Sequence, residues 1–154
     1  MKRIAAIACA LAFTAISVAY AAEARKQTYV PGLGEIMALQ QMRHAKLWFA
    51  GSNGNWELAG YEVDELREGF GDAANLHPVH DQVPVAVLVG KLTPKPLADV
   101  GKAIEERNSA RFNTAFDGLT SACNQCHEAA KHPYIVIKRP DALPFGNQEF
   151  GRRK

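Results

Sequence analysis

The sequence predicts an all-α protein, an antiparallel four-helix bundle followed by an extended C-terminal tail. Three observations predict it. Apolar residues recur at three- and four-residue spacing through most of the chain after Gly32. Clusters of glycine, asparagine and proline interrupt that period and leave mostly short connections. No segment offers a strand its partner. Amphipathic helices joined this way pack as an up-and-down bundle. The 154 residues, 47% apolar and 22% charged, suit one globular domain and exclude a disordered or collagen-like chain.

The N-terminus reads as an export signal. Lys2-Arg3 is a basic start, Ile4 to Ala19 an uncharged apolar run, and Ala19-Tyr20-Ala21 an Ala-x-Ala cleavage pattern, with Ala22-Glu23-Ala24 a second candidate. Residues 1–21 are therefore expected to be cleaved. As a membrane anchor the run stands at the lower limit of length and is dominated by small residues. Cys9 lies inside it, and Ala6-Ile7-Ala8 before Cys9 matches a lipoprotein signal poorly. Removing Lys2 and Arg3 from the 18 basic residues leaves 16 against 16 acidic ones. A neutral mature chain gives no reason to expect nucleic acid or an anionic membrane as partner. No later segment is apolar enough to span a membrane.

The bundle is expected over 33–132. The first helix, 34–50, carries Ile36/Met37, Gln40, His44 and Leu47/Trp48 on one stripe, and Gly51-Ser52-Asn53-Gly54 stops it. Asn55 caps the second, 55–70, whose stripe is Trp56, Ala59, Val63, Leu66 and Phe70 and whose end is marked by Gly69 and Gly71. Pro78, Pro84, Pro94 and Pro96 punctuate a less regular stretch in which 83–92 reads as a short helix. A third major helix starts near Pro96 with Leu97, Val100 and Ile104 on its face. The fourth runs to about Lys131 with Phe112, Ala115/Phe116, Leu119, Ala122/Cys123 and Cys126 on one stripe. Asn108-Ser109 is the expected break between them, although no glycine or proline forces one, and a single helix from 96 to 131 is the alternative. Residues 133–154, with Pro133 and Pro140 flanking Tyr134-Ile135-Val136-Ile137, read as an extended segment laid over the bundle.

Cys123-Asn124-Gln125-Cys126-His127 is C-x-x-C-H, the attachment motif of c-type haem. Two thiols three residues apart on a helix suit the two vinyl-derived positions of one porphyrin edge, and the next residue supplies the proximal imidazole. Export agrees with it, since such haem is attached outside the bacterial cytoplasm. One covalently bound haem c is therefore expected, held by Cys123, Cys126 and His127. Three other readings of the cysteines exist. A thioredoxin-like C-x-x-C expects a βαβ context that is missing. A Cys2His2 zinc site would use His77 and His80 with Cys123 and Cys126. The third is a plain disulfide.

With this motif near its C-terminus, the chain resembles the class II c-type cytochromes, the four-helix-bundle group of cytochrome c′ and its low-spin relatives. The likeness is best over 97–131, from Ala103-Ile104 through Phe112, Phe116 and Leu119 to the motif, with Lys131 where the family has a basic residue near the proximal imidazole. At the first two helices it is architectural only, and 133–154 has no counterpart in the family. The resemblance implies that the start of the first helix lies beside the haem. It also implies, as one arrangement, a homodimer through the first two helices.

Low-spin members ligate iron through a Met of the first helix; cytochrome c′ proper leaves the iron open to NO or CO. Met37 is the leading distal ligand, in the first turn and on the stripe. Met42 lies about 140° round the helix from it, and His44 about 10 Å further up. His44 and an open site are the alternatives. His77 and His80 are expected to be solvated in their loop, and His132 to meet the last helix carbonyls. Trp48, Trp56 and Tyr61 are expected in the core. Arg43, Lys46, Lys138 and Arg139 are candidates to pair with haem propionates.

The sequence thus points to a monohaem electron carrier in the periplasm of a Gram-negative-type bacterium, serving redox partner proteins. The rival is a five-coordinate protein whose partner is a diatomic gas. A subunit of a larger respiratory assembly is a third reading. With no acid–base dyad, nucleophile triad or phosphate loop, substrate turnover is not indicated.

Overall fold

Alternating stop signals and apolar stripes produce five helices among the residues described by the computed structural model, 29–143 and 145–151. They are α1 (Leu33–Ser52), α2 (Trp56–Leu76), α3 (Val85–Leu92), α4 (Pro94–Glu105) and α5 (Ser109–Ala129). The described residues hold no strand beyond an isolated His80–Val83 bridge, so the chain is all-α and compatible with a helical bundle. The expected signal peptide, 1–21, lies outside them. No helix among them is long and apolar enough to cross a membrane.

Two helix junctions use one device. At the end of α1, Gly54 takes a left-handed φ of 69°, its N–H reaches the Gly51 carbonyl, and the Asn55 N–H reaches Ala50. That is a Schellman ending. Asn55 then caps α2, its side chain accepting from the Leu58 N–H at 3.2 Å. At the end of α4, Arg107 takes φ 50° and bonds to Ile104, the Asn108 N–H bonds to Ala103, and Asn108 caps α5 through the Arg111 N–H at 3.0 Å. The break near Asn108 is therefore real. It was hard to see because Arg107, not glycine, occupies the left-handed position.

Two boundaries differ from expectation. Gly69 and Gly71 do not end α2, which continues to Leu76. A Cβ on Gly69 would overlap the Gln40 side chain, so this glycine serves a close approach of α1 rather than a stop. The later helix begins at Pro94, where Thr93 alone separates it from α3.

Leu47, Leu66, Val100, Phe112, Phe116 and Leu119 form the fully buried core. Trp48 and Trp56 join its aromatic part, with Trp48 5.0 Å from Phe116 and Trp56 6.0 Å from Phe112, centroid to centroid. Tyr61, expected inside, is exposed under the Arg43 guanidinium. Arg43 also pairs with the buried carboxylate of Glu62 at 3.3 Å and with Glu65 at 2.6 Å.

Residues 133–143 and 145–151 carry no helix or strand, yet the tail is fastened at both ends. Near α5, Asn124 and His127 hold it. Arg139 then grips both carboxylate oxygens of Asp117 at 2.7 Å and stacks on Trp48 at 4.3 Å. At the far end Phe150 is buried against Phe49, and Asn55 Nδ2 donates to the Gly151 carbonyl.

Candidate functional site

The motif occupies the last two turns of α5. Leu119, Ala122, Cys123, Cys126, His127 and Ala130 recur at three- and four-residue intervals, so they share one face. That face opens on a cavity of about 410 Å³. Leu33, Met37, Gln40 and His44 of α1 line it, with Leu66 and Phe70 of α2, Val85, Leu88 and Val89 of α3, and Ile135 and Ile137 of the tail. Its size lies in the range of small-molecule and cofactor sites, and its walls are mostly apolar.

Burial pushes the Cys123 thiol up to about 12, with Cys126 beside it adding to the effect, and burial raises Cys126 too. Both sit at the C-terminal end of their helix, where the dipole opposes a thiolate. A redox C-x-x-C needs the reverse, a lowered thiol at an electropositive helix start. The cysteines are not joined in a disulfide. Among the described residues no group of three or more His, Cys, Asp or Glu side chains could hold a metal ion, so His77 and His80 do not complete a zinc site with them.

His127 Nδ1 lies 2.8 Å from the Ile135 carbonyl. A carbonyl only accepts, so Nδ1 carries the proton and Nε2 keeps its lone pair, the tautomer of a metal-binding imidazole. Asn124, between the cysteines, holds the same tail segment. Its Nδ2 donates to the Ile137 carbonyl at 2.9 Å, and its Oδ1 accepts from the Ile137 N–H at 2.7 Å. α5 ends in a third Schellman turn, with Lys131 at φ 64° and the His132 N–H bonded to the His127 carbonyl at 2.7 Å. The turn sends the chain back across the motif. Lys131 itself is exposed.

Across the cavity, Met37 is half-buried on the wall from the first turn of α1. His44 also lines the cavity, but its Nε2 is engaged at 2.8 Å with Thr120 Oγ1. The Thr120 hydroxyl donates to the Phe116 carbonyl, so His44 Nε2–H donates to Thr120. Burial lowers the His44 pKa to about 4 and keeps the ring neutral. Gln40 is 7% exposed, and its Oε1 has no hydrogen-bond partner. A buried acceptor left so costs ~1–3 kcal/mol unless a ligand or water meets it.

His80, expected in solvent, is exposed overall but lines the cavity, because residues 81 and 82 take left-handed φ values and fold the loop back on itself. His132 lines it too, with Nδ1 2.7 Å from the Ala130 carbonyl, the helix-end contact expected of it. Sequence reading also missed Ile135, Ile137 and α3 as walls; their apolar run was the only signal. The four basic candidates have other partners. Arg43 pairs with Glu62 and Glu65, Lys138 with Asp141 and Arg139 with Asp117, while Lys46 sits over the Phe145 ring.

These features fit the group that the motif implies: two adjacent sulfurs, an imidazole in the ligating tautomer, a mostly apolar cavity, and an orphaned polar atom on its wall. Comparison with family models, with curated proteins and with solved structures finds no match to this chain.

Proposed function

We propose that this chain is an exported, periplasmic c-type cytochrome with one covalently attached haem c, which passes single electrons between redox partner proteins. One observation carries the reading. Cys123, Cys126 and His127 open together on a mostly apolar cavity, with His127 held in the Nδ1–H tautomer by Ile135. The antiparallel four-helix bundle belongs to the same proposal, with α1, α2, α4 and α5 as its helices and α3 as an extra wall. Contacts that run in opposite directions support it. Gln40 meets Gly69 while Arg43 meets Glu62, and His44 meets Thr120 while Trp48 meets Phe116.

When bound, haem supplies a one-electron iron couple. The protein's residues supply the rest. Cys123 and Cys126 would hold the group through thioethers, and His127 Nε2 would be an iron ligand. Met37 of α1 would be the second iron ligand. A thioether paired with an imidazole would favour the reduced state relative to two imidazoles, which suits a carrier. His44 holds Thr120 through Nε2 and stays neutral, and so serves the wall rather than the metal. Ile135, Ile137, Val85 and Val89 give the cavity apolar walls.

The optical spectrum of the exported protein, ferric and ferrous, with and without CO, tests this. Split, sharp ferrous bands unmoved by CO, with a far-red ferric Met band, are expected. A broad high-spin spectrum that shifts with CO would replace the carrier with a gas-binding protein. Absence of covalent haem would overturn the assignment.

A further inference from the structure

The tail segment 135–137 touches the motif at three polar points. The Ile135 carbonyl accepts from the His127 Nδ1–H at 2.8 Å, and Asn124 closes a pair of hydrogen bonds with the main chain of Ile137 at 2.9 and 2.7 Å. The donor and acceptor of one amide thus lock the tail two residues beyond the carbonyl that His127 needs. Outside this clamp Ile135 is held by one main-chain bond, its N–H to the His132 carbonyl at 3.0 Å. Its side chain is 43% exposed, and Tyr134 and Val136 beside it are 75% and 70% exposed, so little apolar burial secures this stretch. Polar contacts hold it, the turn at His132 on one side of the Ile135 carbonyl and the Asn124 clamp on the other. Asn124 occupies a position inside C-x-x-C-H whose identity the attachment chemistry leaves open, and its amide faces the tail.

We propose that Asn124 is a positioning residue for the His127 imidazole, acting through the tail, and that residues 135–137 are thereby a built-in regulator of the iron's reduction potential. The potential part rests on the carrier reading above. A carbonyl accepting from Nδ1 makes the imidazole a stronger electron donor and favours the oxidised metal. Releasing the tail segment weakens that bond and favours the reduced metal. In a ring without metal the Nδ1–H tautomer also loses its preference; with Nε2 on a metal the proton stays on Nδ1 and only its hydrogen bond weakens.

The test compares the full-length exported protein with Asn124→Leu, which removes both hydrogen bonds at similar volume, and Asn124→Gln, which keeps an uncharged amide. Three quantities are read: the reduction potential, hydrogen exchange at the Ile137 amide, and nitrogen NMR of the His127 ring, which reads the Nδ1–H hydrogen bond where haem is bound and the tautomer where it is not. Asn124→Leu is expected to lose protection at Ile137 and to shift the reduction equilibrium about tenfold toward the reduced form, about 59 mV for one electron. Asn124→Gln moves it less. An unchanged potential with lost Ile137 protection would show that the clamp exists but does not position the imidazole, and would overturn the proposal. A wild-type Ile137 amide without protection would overturn it at the first step. If the protein carried no haem, the carrier reading would fall alone. The His127 tautomer of the wild type against Asn124→Leu would still decide the positioning role, with an unchanged ratio refuting it. If Asn124→Leu does not fold, full-length Asn124→Ala, which also removes both hydrogen bonds, must produce the same change at the His127 ring.

Discussion

Acid should destabilise this fold through His44. The ring is 3% exposed, packs 4.4 Å from Phe116, and donates to Thr120 at 2.8 Å. Its folded pKa is lowered from 6.5 to about 4 by burial. Below pH 6.5 the unfolded chain takes up a proton there and the folded chain does not. The unfolded state then binds more protons, so stability falls as pH falls. At ~1.36 kcal/mol per pH unit, the loss is about 1 kcal/mol by pH 5.5 and roughly 3 kcal/mol by pH 4, below which it levels off. That is a large part of the ~5–15 kcal/mol that holds a domain folded. Glu62 works in the opposite sense. Its folded pKa is raised by burial, with Arg43 opposing, so the folded state takes its proton first and gains stability on acidification. Subtraction of a variant therefore isolates the His44 contribution. Urea unfolding of wild type and His44→Gln at pH 7, 5.5 and 4 should show wild type losing roughly 3 kcal/mol more than the variant. Parallel pH profiles would refute the reasoning, as would an NMR titration placing the His44 pKa above 6.

Met37→Ala should turn a low-spin spectrum high-spin and CO-responsive; an unchanged ferric spectrum would remove Met37 from the ligand set. Gly51→Ala should destabilise by about 1–2 kcal/mol, because a Cβ there overlaps the fully buried Phe112 ring and overpacking outweighs the gain in helix propensity. Gly71→Ala, with open space around its Cβ in α2, should instead stabilise by ~0.5–1 kcal/mol, and denaturant midpoints of the pair check the opposite signs. Arg139→Ala should cost about 1 kcal/mol, from a half-exposed carboxylate pair and a stacking contact on Trp48, and should speed proteolysis within 138–145; unaltered cleavage would show that Arg139 does not fasten the tail.

Periodicity alone determined that this chain is helical. A stripe such as Ile36, Gln40, His44 and Leu47 buries as a unit whatever lies opposite, and those four residues are buried. The C-x-x-C-H spacing likewise determined which side chains share the end of α5, since three- and four-residue steps on a helix need no tertiary information. Other features depended on neighbours distant in sequence. Gly69 looked like a stop because its alternative role, admitting Gln40, belongs to another helix. The break at Arg107 was faint because a left-handed residue other than glycine leaves no compositional mark. His80 reads as a loop residue until two left-handed φ values fold its loop, while His44 shows no partner until α5 brings Thr120 to it. The tail is the strongest case. Nothing in Tyr134-Ile135-Val136-Ile137 announces a carbonyl for His127, because the bond joins side chain to main chain, and every residue carries the same carbonyl. Only the fold decided which carbonyl it is, by bending the chain back at Lys131 and holding it with Asn124.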